Sequence, residues 1–374
     1  WNPCRKTGVS AMDKAAEAKV LLVGNVDGNF AQLFKRVETV SKKAGPFRCM
    51  FCVGKFFGEG GAGELQPYLS GGAKIPLPTY FVDGMPQGRE VLKNVGADGI
   101  VCPNLVFLRG GGLQELQGLS VAYLAGRYDS ISYKDKSALA ATAAIENGEY
   151  RSTDVTAVLK AITDHGKVPV DFLLTSEWGR GVLNAVSSPP QQVDASEAGS
   201  PIVADLVKEV APRYHVAGTE GVFFARDPYK NERGNVTRFI ALGAVGNAQK
   251  EKWMHALGVQ PAVSMPPPQL YSVPPGSSVS PYSVQAIQAA AAAAKRPFEG
   301  VDEGGPEGQY WRFQEKKQRR DPVPLRGKPA NLEGDAAFRV FVRNLPFRCT
   351  DEDIAALFSE CGPVEGVRVA VNEE

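Results

Sequence analysis

Residues 18–58 open Ala18-Lys-Val-Leu-Leu-Val-Gly-Asn-Val-Asp-Gly-Asn-Phe30 and close Phe51-Cys-Val-Gly-Lys-Phe-Phe-Gly58. Residues 19–23 are almost wholly apolar and stop at Gly24, which suits a strand buried on both faces of a parallel sheet. Phe30, Leu33, Phe34 and Val37 recur at helical spacing across 30–41. A second apolar run, 49–53, ends at Gly54. Strand, turn, helix, strand is a βαβ unit, and its right-handed crossover brings both strand ends to one edge of the sheet. Ligands of open α/β sheets bind at that carboxyl edge. The turns Gly24-Asn-Val-Asp-Gly28 and Gly54-Lys-Phe56 are therefore where chemistry is expected.

Further strands are predicted over 79–82, 99–102, 105–108, 119–125, 170–174, 214–217, 222–225 and 237–242. Helices are predicted over 154–163 and 202–210, with a helical piece at 64–68 inside a Gly-rich loop. The runs 214–217 and 222–225 read as a pair, and 237–242 as the last strand. Helices and strands alternate to about residue 258, so the fold class is α/β with a single layered core.

The chain has 374 residues, long enough for two or three domains of ~150 residues each. Forty-two basic and 41 acidic residues leave a net charge of +1, so any case for nucleic acid or membrane must be local. No secretory signal or membrane-spanning run is visible. Six dispersed cysteines then point to free thiols in a reducing, intracellular setting. Residues 1–11, ahead of Met12, read as an unstructured leader, and both termini read as edges of a fragment. The core domain is expected over 12–258. Residues 259–335, rich in proline and alanine, read as a mostly disordered linker carrying the basic residues Lys316, Lys317, Arg319 and Arg320. Order is expected again over 336–374: an alternating strand through Phe341, a helix N-capped by Thr350, then a second strand from Val364.

Asp171-Phe-Leu-Leu-Thr-Ser-Glu-Trp178, Pro212-Arg-Tyr-His-Val-Ala217 and Thr237-Arg-Phe-Ile-Ala-Leu-Gly-Ala-Val-Gly-Asn247 follow the two opening turns in order. With these landmarks the chain resembles the calcineurin-type metallophosphoesterases, and among them the amino-terminal domain of CwfJ-type splicing factors, relatives of the lariat debranching enzyme. The resemblance covers roughly 18–258 and implies a calcineurin-like sandwich. Active members hold two metals that activate water and clamp a phosphate. Their first turn usually runs Gly-Asp-x-His. Here Asn25 stands for the aspartate and Asp27 for the histidine. Lys55 replaces the bridging aspartate, Met85 falls in the Gly-Asn-His-Glu turn, and Ser176 stands for a later histidine. His215 falls at a core aromatic position. The resemblance thus implies a degenerate site with no metal and no cofactor. The open alternative is an active phosphodiesterase with a rearranged site built from Asn25, Asp27 and Glu220.

Val340-Phe-Val-Arg-Asn-Leu345 resembles the first strand of an RNA-recognition motif, a partial α+β ferredoxin-like fold in this chain. There Phe341 would stack a base, with Arg343 and Asn344 beside it. The third-strand signature is absent because the chain ends first. Together the resemblances imply a nuclear, non-catalytic splicing adaptor. Spliceosomal proteins, the debranching enzyme and single-stranded RNA are the implied partners, and no membrane is. An RNA-binding regulator outside splicing remains a further reading.

Plainer readings stand beside these. Cys49 and Cys52 lie in an apolar strand and suit packing better than metal. Tight-turn geometry explains Gly24 to Gly28 as well as phosphate binding does. Asp27 reads equally as a turn residue, and Lys55 as a solvated lysine or a holder of phosphate or carboxylate. The cluster Lys316 to Arg320 reads as an RNA contact, an import signal or a solvated run.

Overall fold

The opening run folds as β1 (Ala18–Val23), followed by a helix over Phe30–Ala44 and β2 (Cys49–Cys52), parallel to β1. The computed structural model describes residues 17–288, apart from 136, 138–142, 145 and 167, together with 351, 355, 358 and 359. The leader, the basic cluster Lys316 to Arg320, and Phe341, Arg343 and Asn344 lie outside the described residues. Asp351, Ala355, Phe358 and Ser359 are helical, in keeping with the helix expected after Thr350.

Two mixed sheets form the described domain. The first adds β3 (Thr79–Phe81), β4 (Ile100–Cys102), β5 (Leu105–Phe107) and β13 (Met254–Val259), in the order β13-β1-β2-β3-β5-β4. The second holds β6 (Gly111–Leu116), β7 (Leu119–Leu124), β8 (Phe172–Thr175), β9 (Tyr214–Ala217), β10 (Phe224–Ala225) and β12 (Val236–Ala241). Its order is β10-β12-β9-β8-β7-β6, and β11 (Tyr229–Lys230) pairs with β12. In each sheet four parallel strands are flanked by antiparallel edge strands.

Three buried clusters replace the single core expected. Val20, Leu22, Phe51, Val121, Phe172, Val216 and Leu242 pack between the sheets, with the Phe51 and Phe172 rings 5.3 Å apart. The alternate residues of β1 and β2 face outward under the Phe30–Ala44 helix, which buries the four residues its spacing picked out, Phe30, Leu33, Phe34 and Val37. On the far side, helices Ser152–His165 and Pro201–Val210 cover the second sheet. Ser200 caps the latter by accepting from the Ile202 and Val203 amides.

Four expectations are corrected. β9 and β10 do not pair, because β12 lies between them. The strand after residue 110, hidden by three glycines, is β6, held by six residue pairs to β7. The last strand is β13, which closes the first sheet against β1. Finally, the chain from 260 to 288 is not a free linker but a strap on the sandwich. The Ala262 amide donates to Asp171 Oδ1 (2.9 Å), and the Asn184 side-chain amide donates to the Pro281 carbonyl (3.0 Å). Tyr282 and Ala286 are buried. Scattered apolar residues among prolines carry no period, so only their tertiary contacts reveal the strap.

Candidate functional site at the carboxyl edge

The parallel strands of both sheets end on one edge, and their turns meet backbone to backbone. A Cβ on Gly24 would run into the carbonyls of Leu242 and Gly243, and one on Gly54 (φ +85°) into Asn25 Oδ1 and the Thr219 amide. Glycine is required at both places because no side chain fits the approach.

The two opening turns are zipped together. The Asp27 and Gly28 amides donate to the Lys55 and Phe56 carbonyls, each at 3.1 Å, and the Lys55 amide donates to Asn25 Oδ1 at 2.9 Å. Phe56 and Phe57 are buried beneath, with Phe56 stacked on Phe81 at 3.8 Å. Those anchors hold the turn, so Lys55 reaches Asp27, with Nζ to Oδ1 at 2.9 Å and to Glu59 Oε1 at 3.2 Å. Burial pushes the Lys55 ammonium down, but hydrogen bonds and charge from Asp27 and Glu59 outweigh it and hold its pKa above the ordinary lysine value. The solvated lysine among the expectations is thus an ion-paired one.

Asn25, Asp27 and Lys55 are brought together. Asn25 Nδ2 also donates to the Thr219 carbonyl at 3.4 Å. Ser176 lies across the edge, buried against Gly84, with its hydroxyl unpartnered. Met85 contributes only its amide, which donates to Asp83 Oδ1 at 3.1 Å. Glu220 lies near enough to Glu177 for its charge to act there. Burial raises both carboxyls, Glu177 to about 7, and the Glu220 charge adds to the effect on Glu177. Among the described residues, no group of three or more His, Cys, Asp or Glu is placed to hold a metal ion.

Asp83 is the residue that the sequence reading missed. It is buried behind the Lys55 turn, where its Oδ1 accepts from the Phe56 and Met85 amides while its Oδ2 has no partner. Burial pushes its carboxyl up to about 7 against those donors. The only signal was an aspartate closing an apolar strand, which turns everywhere share.

His215 is fully buried on β9, its ring 5.1 Å from Phe239. Thr175 Oγ1 gives its proton to the Glu177 carbonyl (2.6 Å), so it accepts from His215 Nε2–H (2.8 Å). Burial pushes the imidazole pKa down to about 3, which keeps it neutral. Cys49, Cys52 and Cys102 are free and buried; burial raises Cys49 to about 12 despite nearby Arg48, and a thiol so protonated is a packing group.

The two sheets form an α/β sandwich whose parallel strands converge on one edge, with a lysine at that edge. The RNA recognition motif family matches residues 340–374. Zinc finger CCCH domain-containing protein 59 of Oryza sativa subsp. japonica is 40% identical over 325 residues, covering 82% of this chain and 50% of that protein. CWF19-like protein 1 homolog of Caenorhabditis elegans is 33% identical over 309 residues, covering 80% of this chain and 54% of that protein. TT1561 of Thermus thermophilus is a solved structure with a TM-score of 0.44 and 15% identity, covering 65% of this chain and 99% of that one. Over most of its length the chain is similar to the CWF19-like proteins, the CwfJ-type group its landmarks resemble. It spans about half the length of the curated relatives it matches.

Proposed function

We propose that this chain is a non-catalytic nuclear adaptor in pre-mRNA splicing. It works at the intron-lariat spliceosome, where its sandwich domain docks on protein and regulates the debranching enzyme. Its 340–374 motif contacts single-stranded RNA through Phe341, Arg343 and Asn344. The relatives named CWF19-like and the RNA-recognition match support the splicing and RNA parts of this reading.

One observation carries the non-catalytic part: the Lys55 ammonium lies between Asp27 and Glu59, where a catalytic edge would gather divalent cations. A pair of metals needs several converging hard anionic or imidazole ligands. Asn25 Oδ1 already accepts from the Lys55 amide, Asp27 is ion-paired, and His215 is spent inside the core. The remaining groups do not fit a metal pair.

The test is metal content and hydrolysis by the purified chain. Stoichiometric manganese, iron or zinc together with cleavage of a branched or cyclic phosphodiester would overturn the reading in favour of an active enzyme using Asn25, Asp27 and Glu220. Co-purification from nuclear extract with debranching and late spliceosomal proteins is the expected positive result. Recovery of RNA-binding proteins without spliceosomal ones would move the chain outside splicing.

A further inference from the structure

A groove of about 580 Å³ lies on the first sheet between the Phe30–Ala44 helix and the loop that leads into β13. Gln32 and Arg36 form its helical wall, Lys250 and Lys252 its loop wall, and Trp253 and Met254 its floor.

The loop wall is firmly built. Asn247 Nδ2 donates to the Ala244 and Glu251 carbonyls, and its Oδ1 accepts from the Glu251 amide at 2.7 Å. The Gly243 amide donates to the Lys252 carbonyl, the Gly24 amide to the Trp253 carbonyl (3.0 Å each), and the Val245 amide to the Asn25 carbonyl (2.8 Å). The groove is therefore fixed to the first turn yet lies outside the metal-type edge.

Its charge is predominantly positive, with Arg36, Lys250 and Lys252 against the single carboxylate Glu251. Arg36 and Lys250 are exposed and make no ion pair among the described residues. Lys252 sits 4.8 Å over the Phe223 ring and donates to His255 Nδ1 at 2.7 Å. Burial and the Lys252 charge both lower the His255 pKa, so this partner is a neutral ring and does not cancel the ammonium. The one carboxylate in the lining, Glu251, already accepts from the Phe223 amide at 3.0 Å. Three cations thus flank a half-buried tryptophan. Cations spaced along a groove suit a phosphate backbone, and an aromatic floor suits a stacked base.

We propose that this groove binds single-stranded RNA, as a contact surface of the sandwich domain separate from the 340–374 motif. The inference rests in part on the reading that RNA is a ligand of this chain. An acidic peptide satisfies the cations but makes no use of the tryptophan face, so RNA is the better occupant.

The experiment uses the full chain, a fluorescent single-stranded oligoribonucleotide, and four forms: wild type, Arg36→Glu with Lys250→Glu, Phe341→Ala, and all three changes together. Both charge reversals are at exposed positions, and matching thermal melts verify that the fold is retained. The groove variant is expected to bind about tenfold more weakly. Its slope of log affinity against log salt should shrink by about 1.4, two single-strand phosphates at ~0.7 each. Ultraviolet crosslinks should fall on 247–256 and persist in Phe341→Ala. Crosslinks confined to 340–374, with wild-type affinity in the groove variant, would overturn the groove while leaving the RNA reading intact. No RNA binding by any form would overturn both. Displacement from the groove by a poly-glutamate peptide, without RNA crosslinks there, would assign the groove to protein and overturn the proposal.

Discussion

Lys55 Nζ lies 2.9 Å from Asp27 Oδ1, joining the turn after β1 to the turn after β2. The pair is partly exposed, so its worth is limited by solvent screening to roughly 1 kcal/mol or less. Lys55→Met should therefore lower unfolding stability by no more than about that amount. Because the folded-state lysine pKa is raised, the contribution is complete at neutral pH and disappears only as pH climbs through that value. Denaturant titrations at pH 7 and at strongly alkaline pH check both statements. A loss of several kcal/mol at pH 7 would mean that Lys55 supports the edge in some other way.

Arg213 and Asp171 form the buried ion pair of the sandwich, at 2.6 Å. Asp171 also accepts from the Ser120 amide and hydroxyl and from the Ala262 amide, and Arg213 donates to the Gln260 carbonyl. Removing one member leaves the other charge buried and unpaired. Arg213→Ala should cost on the order of 3–5 kcal/mol. It should also loosen the strap, so limited proteolysis should cut within 260–288 sooner than in wild type. Wild-type cleavage kinetics in that variant would separate the strap from the pair.

Asp83 makes stability depend on pH with a defined sign. Its folded pKa is about 7 against an ordinary 3.8. Between those values the folded state holds the extra proton, so this group's contribution falls as pH rises from about 4 to 7. Asp83→Asn should remove that decline. The quantity to measure is the wild-type-minus-variant difference in unfolding free energy at pH 4.5 and 8. Glu177 declines in the same direction, and His215, its pKa lowered, in the opposite one. Both cancel in the difference. Equal differences at the two pH values would refute the assignment.

If the 340–374 motif binds RNA as proposed, Phe341→Ala removes a stacking platform worth about 1–3 kcal/mol per base. That corresponds to a loss of roughly tenfold or more in affinity for a short single strand, read by anisotropy at fixed salt. Unchanged affinity with unchanged salt slope would exclude Phe341 from the interface.

The sequence by itself determined a good deal. Local periodicity is a strong signal, and it located the first βαβ unit, the buried face of the Phe30–Ala44 helix and the turns at the carboxyl edge. That Asn25 and Lys55 stand where carboxylates are usual is what the resemblance implied, and no local pattern carries it. Tertiary structure decided the rest, because it depends on contacts far apart in the chain. Nothing near Gly110 or Met254 reveals that β6 and β13 are edge strands, since their partners supply the pairing. The glutamate environments and the unpartnered Asp83 oxygen arise from burial by distant loops. The strap over 260–288 is held by Asp171, Arg213 and Asn184, up to about a hundred residues away, a distance no local pattern can span.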